Sequence, residues 1–354
     1  MRSNLKFFRK RKTFPVDDFF QNVLYDAKNG YYANKQPFGK NGDFITAPKI
    51  SNLFSEIIAI WIISAWHTFG KPKNFNVVEL GPGDGSLTKI LLKVFNRFPE
   101  FDKAKKIYLY EVSNYLKNLQ KKNIKSNKIK WIRSFNKINN GPTIFFGNEF
   151  FDAIPIKQFK REKGLLFEKF YTLDKNHKIK EIFKKVSRLD AANINSFKSL
   201  RKLKFIEFPK YGFKELKKIV KKIYQVKGCL LLIDYGYLNP RNHSTLQSVM
   251  KHKKNNLLNN LGKADVTYHV NFKLLTEFLI KNNLKVEKII PQQRFLKNMG
   301  IINRAEIIGR KMKFKEQSNM YLRLKRLLSP NLMGELFKVA LAYKLKTGKF
   351  FGFN

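Results

Sequence analysis

A chain of 354 residues with a single cysteine cannot build a disulfide framework or a cysteine-rich zinc site, so its stability has to come from a packed core. Acids are scarce: 26 Asp and Glu stand against 71 Lys and Arg, a formal net charge of +45. Long apolar runs are missing too. The longest, residues 57–66, falls short of the roughly 20 residues that a membrane-spanning helix needs. No apolar signal-peptide segment follows the basic start, no internal repeat is present, and the histidines show no metal-ligand spacing. What is there is core-forming material, 43% hydrophobic and 14% aromatic with 34 Phe, which excludes disordered and collagen-like chains. These features predict a soluble, intracellular, globular protein without a metal: one large domain, or a core domain with a smaller attachment.

The positive charge suggests nucleic acid, a membrane surface or an acidic partner. Lys far outnumbers Arg, however, and both are spread over the whole length rather than gathered in one arm. An AT-rich genome would write the same Lys, Asn, Ile and Phe onto any surface. Solvated surface is the favoured reading, and a nucleic-acid partner the weaker one.

Residues 1–12 are basic and predicted to fray. Val16, Phe19, Phe20, Val23 and Leu24 then follow the spacing of one helix face, and Asn29-Gly30 stops that helix. Residues 31–49, punctuated by Pro37, Gly39, Gly42 and Pro48, read as an ordered loop. A helix over about 51–69 comes next, with Ser51 as N-cap and Gly70-Lys71-Pro72 closing it. Beyond it, apolar runs at 76–80, 107–111, 128–132, 143–147 and 229–234 read as buried strands, with further candidates at 285–290 and 305–309. Runs that are apolar on both faces and separated by helices indicate a mostly parallel sheet in an α/β layer fold. Residues 156–173 alternate about Glu162-Lys163-Gly164 like a hairpin, and 174–211 are Lys-rich. Residues 321–328 and 334–344 read as a C-terminal helix pair broken at Ser329-Pro330.

The most informative stretch is Val77-Val78-Glu79-Leu80-Gly81-Pro82-Gly83-Asp84-Gly85, a buried strand that runs into a glycine loop before a helix. Glycines let the backbone turn sharply and approach a ligand, and open α/β sheets bind cofactors at the carboxyl ends of their strands. A dinucleotide fingerprint would put its third glycine at position 86, which is Ser. Glu79, two residues before the first glycine, suits a ligand with a cationic amino-acid end better than a pyrophosphate. In this spacing Gly81, Gly83 and Gly85 resemble the loop of class I S-adenosylmethionine-dependent methyltransferases; a structural turn in another α/β protein is the bland alternative. Glu111, closing the next strand, is suited to ribose hydroxyls, and Ser134-Phe135-Asn136 to the border of an adenine.

Asn148, Glu149 and Asp152 leave the fourth strand, and Asp234 ends the fifth. Methyl transfer from a sulfonium needs a desolvated, aligned nucleophile. If that nucleophile is a guanidinium, carboxylates must balance two cationic groups. Glu149 is the first choice for orienting the substrate nitrogen, with Asp152 and Asp234 beside it. Asp152 reads equally well as a turn acid, and the Asn148 carbonyl could hold a neutral amine or amide instead. His269 is a candidate general base, although a lone His is more often structural, and Cys229 reads as core.

A wider set of segments carries a specific resemblance. Gly30-Tyr31-Tyr32 and the run Gly42-Asp43-Phe44-Ile45-Thr46-Ala47-Pro48-Lys49-Ile50-Ser51 stand ahead of the glycine loop. Asn148-Glu149-Phe150-Phe151-Asp152-Ala153-Ile154-Pro155, Ile233-Asp234-Tyr235-Gly236, Thr245-Leu246-Gln247, Gly262-Lys263-Ala264-Asp265 and Met333-Gly334-Glu335-Leu336-Phe337-Lys338 follow it in order. Together they resemble the mitochondrial complex I assembly-factor methyltransferase family and its bacterial relatives. The resemblance implies a class I methyltransferase core (Rossmann-like, mostly parallel) with an N-terminal helical segment and an inserted substrate-binding region. It also implies S-adenosyl-L-methionine as cofactor and an arginine of a complex I-type protein subunit as methyl acceptor. Residues 42–51 would pack over the site, with Asp43 and Thr46 as ligands or, more blandly, as caps of the next helix. Competing readings are methylation of RNA or a small molecule, and a cofactor-binding assembly chaperone with little turnover. Two departures stand out: Asp84 where relatives often have Arg, and Lys49 where they often have Glu. The expected domains are 1–75 (helical segment and active-site loop), 76–155 with 228–312 (core), 156–227 (insertion) and 313–354 (C-terminal helices). A bacterial cytoplasm is the expected location, with the mitochondrial matrix as the alternative. Oligomeric state has no signature in the sequence.

Overall fold

A computed structural model of the protein describes residues 6–9, 11–34, 42–43, 46–345 and 348–353. Pro37, Gly39, Phe44 and Ile45 of the expected loop, and residues 1–5 and 10 of the basic start, lie outside the described residues. The chain divides into a core unit of residues 45–150, 218–236 and 282–354 and a second unit of residues 1–44, 151–217 and 237–281. Among the described residues no helix is long and apolar enough to cross a membrane.

In the core unit a short helix α1 (Ala47–Ile50) leads to α2 (Asn52–Thr68), where the Ser51 hydroxyl accepts from the Leu53 amide at 3.3 Å, as the capping pattern predicts. Helix α2 buries residues all round its axis, Phe54 and Trp61 among them, because it lies within a core cluster rather than on a surface. The sheet follows: β1 (Phe75–Leu80), β2 (Lys105–Tyr110), β3 (Ile129–Ile132), β4 (Thr143–Asn148) and β5 (Gly228–Tyr237). Helix α3 (Ser86–Phe95) connects β1 towards β2, and α4 (Asn114–Ile124) connects β2 to β3. Two-residue strands β6 (Lys285–Val286) and β7 (Ile290–Pro291) both pair with the last strand, β8 (Phe337–Lys344). The spatial order is β6-β8-β5-β4-β1-β2-β3, in which β1 to β5 run parallel and β8 runs antiparallel to β5. This is the expected Rossmann-like, mostly parallel α/β sheet. Its registers align Glu79 with Leu109 and Phe146, and Asn148 with Ile233, so the carboxyl ends of the central strands share one edge.

Three expectations fail here. Residues 334–344 are expected as helix, but Phe337–Lys344 is strand; its Ala-Leu-Ala run is helix-prone, yet burial on both faces beside β5 overrides that propensity. Residues 305–309 are expected as strand, but they end the helix Ile301–Gly309, whose buried Ile301, Ala305 and Gly309 keep a four-residue spacing. The stretch 31–49 is not all loop, since helices Tyr31–Asn34 and α1 stand at its two ends.

In the second unit, Leu165–Leu173 and Lys157–Glu162 form the expected hairpin, turning on Lys163 and Gly164, both at positive φ. Thr13–Pro15 and Ile179–Lys185 also pair with Leu165–Leu173, and Phe205–Phe208 pairs with Lys157–Glu162. A smaller sheet joins Gln247–Met250 to Lys253–Asn255 and Asp265–Thr267. The described part of the basic start is not frayed: Phe7 and Phe8 are buried, and the Phe8 ring sits 5.2 Å from that of Phe19 on the helix Val16–Tyr25.

Candidate active site

The glycine loop emerges at the carboxyl end of β1 with Gly81, Gly83 and Gly85 at φ of 61°, 58° and 83°, all left-handed. A Cβ at Gly81 would meet the Phe150 ring at 2.9 Å, and one at Gly85 would meet the Ile124 side chain at 2.8 Å. Residue type here is therefore set by backbone conformation and by crowding together. Asp84 closes the loop: its Oδ1 accepts from the Ser86 amide at 3.1 Å, an Asx turn that leads into α3, whose N-cap position is Gly85.

Glu79 is 3% exposed and accepts a hydrogen bond from the Thr88 hydroxyl on α3. Burial pushes its carboxyl up to about 8, with the Asp84 charge adding and the Thr88 bond opposing. Such a group is a neutral acid that an incoming cation would ionise. Glu111, just past β2, is also buried and raised by burial, against donors from Ser113, Gln120 and Val112 and the charge of Arg133. The Ser113 amide reaches Glu111 Oε1 at 2.7 Å, and Gln120 Nε2 reaches Oε2 at 3.0 Å.

Gln120 is a residue that sequence reasoning missed. It is fully buried on α4, where Leu116, Gln120 and Ile124 form the inward face. Its Nε2 donates both to Glu111 and to the Gly83 carbonyl at 2.8 Å, while its Oε1 accepts from Trp131 Nε1 at 2.9 Å. One amide thus ties the glycine loop, the acid after β2 and strand β3 together. A polar residue at helical spacing within an apolar stripe is the signal that could have found it. Gln120→Leu leaves the buried Glu111 carboxylate and the half-buried Gly83 carbonyl and Trp131 indole without this partner, and is expected to cost about 1–3 kcal/mol, read as a lower denaturant midpoint. Phe135, expected at the adenine border, is 4% exposed with its ring 4.7 Å from Tyr110, and Ser134 caps its own short turn.

At the end of β4, Glu149 adopts φ of 52°, a left-handed conformation that costs a non-glycine residue of order 1 kcal/mol and recurs at functional sites. Its amide is held by the Ile233 carbonyl at 2.9 Å, so the β4–β5 ladder fixes the turn. The half-buried carboxylate faces protein: Oε1 accepts from Asn148 Nδ2 at 3.0 Å and from the Ala47 amide at 3.4 Å. That leaves Asn148 Oδ1 buried without a donor among the described residues. Asp234 is 2% exposed, opposite Lys338 of β8, and its Oδ1 accepts from the Tyr235 amide at 2.9 Å. Thr46 sits at the N-cap position of α1 but its side chain makes no capping bond. The two departures from the family pattern meet each other: Lys49 Nζ lies 2.7 Å from Asp84 Oδ2.

The remaining candidates belong to the second unit. Asp43 is buried, its carboxylate accepting from the Tyr31 hydroxyl and the Lys251 amide, both at 2.7 Å. Asp152 is 4% exposed, and its carbonyl accepts from the Tyr268 amide. Asp265, bonded by the Tyr32 hydroxyl at 3.1 Å, is pushed up to about 7 by burial and by the Asp152 and Asp43 charges. These three acids therefore share one electrostatic environment. His269 is pushed down by burial and by Arg241 and His243, and it lines a small cavity with Glu207, Tyr237 and Tyr268. Among the described residues no group of His, Cys, Asp and Glu is arranged to hold a metal ion.

Against known proteins, a family model described as "Putative S-adenosyl-L-methionine-dependent methyltransferase" matches residues 57–290. The chain is 28% identical over 358 residues to a Xenopus laevis protein, covering 94% of this chain and 82% of that one. It is likewise 28% identical over 348 residues to a human protein, covering 91% and 78%. Both relatives are named "Protein arginine methyltransferase NDUFAF7, mitochondrial". A Burkholderia thailandensis crystal structure bound to S-adenosyl-homocysteine shares the fold at a TM-score of 0.80 and 20% identity, covering 100% of this chain and 92% of that one.

Proposed function

Since this chain belongs to the family of S-adenosyl-L-methionine-dependent methyltransferases, we propose that the acceptor of its methyl group is an arginine of a protein substrate, with Glu149 as the acid that receives the guanidinium. The observation that carries this reading is the pair of acceptors at the end of β4: a Glu149 carboxylate held towards protein in a left-handed turn, beside Asn148 Oδ1, which has no donor among the described residues. A planar guanidinium presents several N–H donors in a fixed fork, the complement of two adjacent oxygen acceptors. The names of the relatives support the same acceptor class.

The cofactor residues fit their group by chemistry. Glu79, a neutral acid when no cation is near, suits the cofactor's ammonium; Glu111 suits its ribose hydroxyls; the left-handed glycines turn the chain sharply at the end of β1. When bound, the cofactor supplies a methyl group on a cationic sulfur. Glu149 desolvates and orients the guanidinium, offsets the charge that two cations bring together, and takes the proton as the nitrogen–carbon bond forms. Asp234 lends a second negative charge at the neighbouring strand end.

A pH signature follows from Glu79. Its contribution to the stability of the cofactor-free protein is fully present below about 4.5 and is lost as pH rises through about 8. Binding of an ammonium reverses the sign, because it requires the ionised acid. Affinity for S-adenosylhomocysteine is therefore expected to rise towards about pH 8, by up to about tenfold per unit, and then level off. Calorimetric titration across that range, with Glu79→Gln losing the slope, checks it.

The substrate we propose is a complex I-type subunit, in a bacterial cytoplasm or in the matrix, according to where that subunit resides. Mass spectrometry of such subunits with and without this gene tests the proposal; an unchanged arginine methylation pattern would refute it. The charge of +45 favours RNA as the second reading. In that case binding to RNA should weaken steeply with salt, and absent or salt-independent binding ends that reading.

A further inference from the structure

Helix α1 touches both halves of the chemistry. Its Ala47 amide donates to Glu149 Oε1 at 3.4 Å, and two residues on Lys49 Nζ lies 2.7 Å from Asp84 Oδ2 in the glycine loop. Neither contact is loosely held. Ala47 and Ile50 are buried in the same core cluster as Leu87 and Leu91 of α3, and Ser51 ends α1 while capping the long buried helix α2. The ion pair is largely shielded, with side-chain exposures of 19% for Lys49 and 10% for Asp84. Asp84 meanwhile spends its other oxygen on the Ser86 amide, and its carbonyl accepts from Asn123 Nδ2 at 2.9 Å. The loop is therefore gripped from α3, α4 and α1 at one residue. Helix α1 also reaches the acid at the end of β4.

We propose that Lys49 is a positioning residue, and that α1 joins the cofactor loop to Glu149 so that cofactor binding and the setting of the acid are one mechanical unit. A charge-assisted bond between shielded partners fixes a loop more firmly than an exposed pair can, and a site is only as well ordered as the groups that support it. The loop half of the proposal rests on family membership, and the Glu149 half on the role proposed above.

The test is calorimetric titration of the full chain with S-adenosylhomocysteine, which needs no acceptor. Lys49→Met and Asp84→Asn are each expected to weaken binding about five- to tenfold, and the double variant no more than either alone. Asp84→Asn keeps an oxygen for the Ser86 amide, so a loss there reports on the ion pair rather than on the turn into α3. Lys49→Arg, which keeps the charge for Asp84, should recover to within about threefold of the wild type. Glu149→Ala should weaken binding about threefold on its own and add nothing in the Lys49→Met background, as coupling through α1 requires. Additive losses, or variants with wild-type affinity, overturn the proposal while leaving the enzyme's class intact. A wild type that does not bind S-adenosylhomocysteine would overturn the cofactor reading itself.

Discussion

Replacing Glu149 with glutamine should lower methyl transfer about 10²- to 10³-fold while leaving S-adenosylhomocysteine affinity within about threefold of the wild type. Glutamine keeps the oxygen that accepts from Ala47 and Asn148 and has nearly the same shape, so the left-handed turn and α1 stay in place. What it loses is the negative charge, and with it both the balance for a second cation and the acceptor for the departing proton. On the proposed role the site holds two cations, and removing a charge from it costs several kcal/mol in the transition state, hence the size of the effect. Single-turnover methyl transfer, with affinity measured on the same preparation, separates the two quantities. Turnover at the wild-type rate would mean that another acid receives the acceptor.

The second large effect belongs to the glycine loop. Gly83→Val should reduce cofactor affinity at least about 100-fold, the combined result of a β-branched side chain forced to φ of 58° and of methyl groups added to the loop we propose receives the cofactor. The Gly83 carbonyl is also the group that Gln120 holds, so a shifted loop would disturb the seat of Glu111 as well. Gly164→Val is the control. That glycine has φ of 77° at a hairpin tip of the second unit with nothing within 4 Å of a Cβ, so valine there brings similar backbone strain outside the glycine loop. Its expected outcome is lower thermal stability with unaltered cofactor affinity. Equal losses of affinity in both variants would show that strain, not the loop's approach to the cofactor, sets the result.

The parts of this site that are legible in the sequence are those made within one short stretch of chain. Strand, glycine loop and helix follow one another from Val77 to Ser86, and Glu111 and Glu149 each close an apolar run, so their places at the strand ends follow from local pattern. Gln120 is not legible in that way, because its value comes from partners on three separate elements, Gly83, Glu111 and Trp131. The same holds for Lys49 and Asp84. Thirty-five residues apart, each looks like an isolated charge in the sequence, and only the fold shows them as one ion pair. Asp152 is grouped with Glu149 in sequence, but its chain segment belongs to the unit that holds Asp43 and Asp265. The terminal strand was hidden for a different reason. Phe337–Lys344 carries helix-prone Ala and Leu, and its strand conformation comes from the hydrogen-bonded neighbours β5, β6 and β7, none of which lies next to it in sequence.

The most direct test of the account is to incubate the purified chain with methyl-deuterated S-adenosyl-L-methionine and isolated complex I-type subunits, and to locate the label by peptide mass spectrometry. The account predicts deuterated methyl on arginine side chains, dependent on Glu149. Label confined to RNA or to another side chain, or arginine label undiminished in Glu149→Gln, would contradict it.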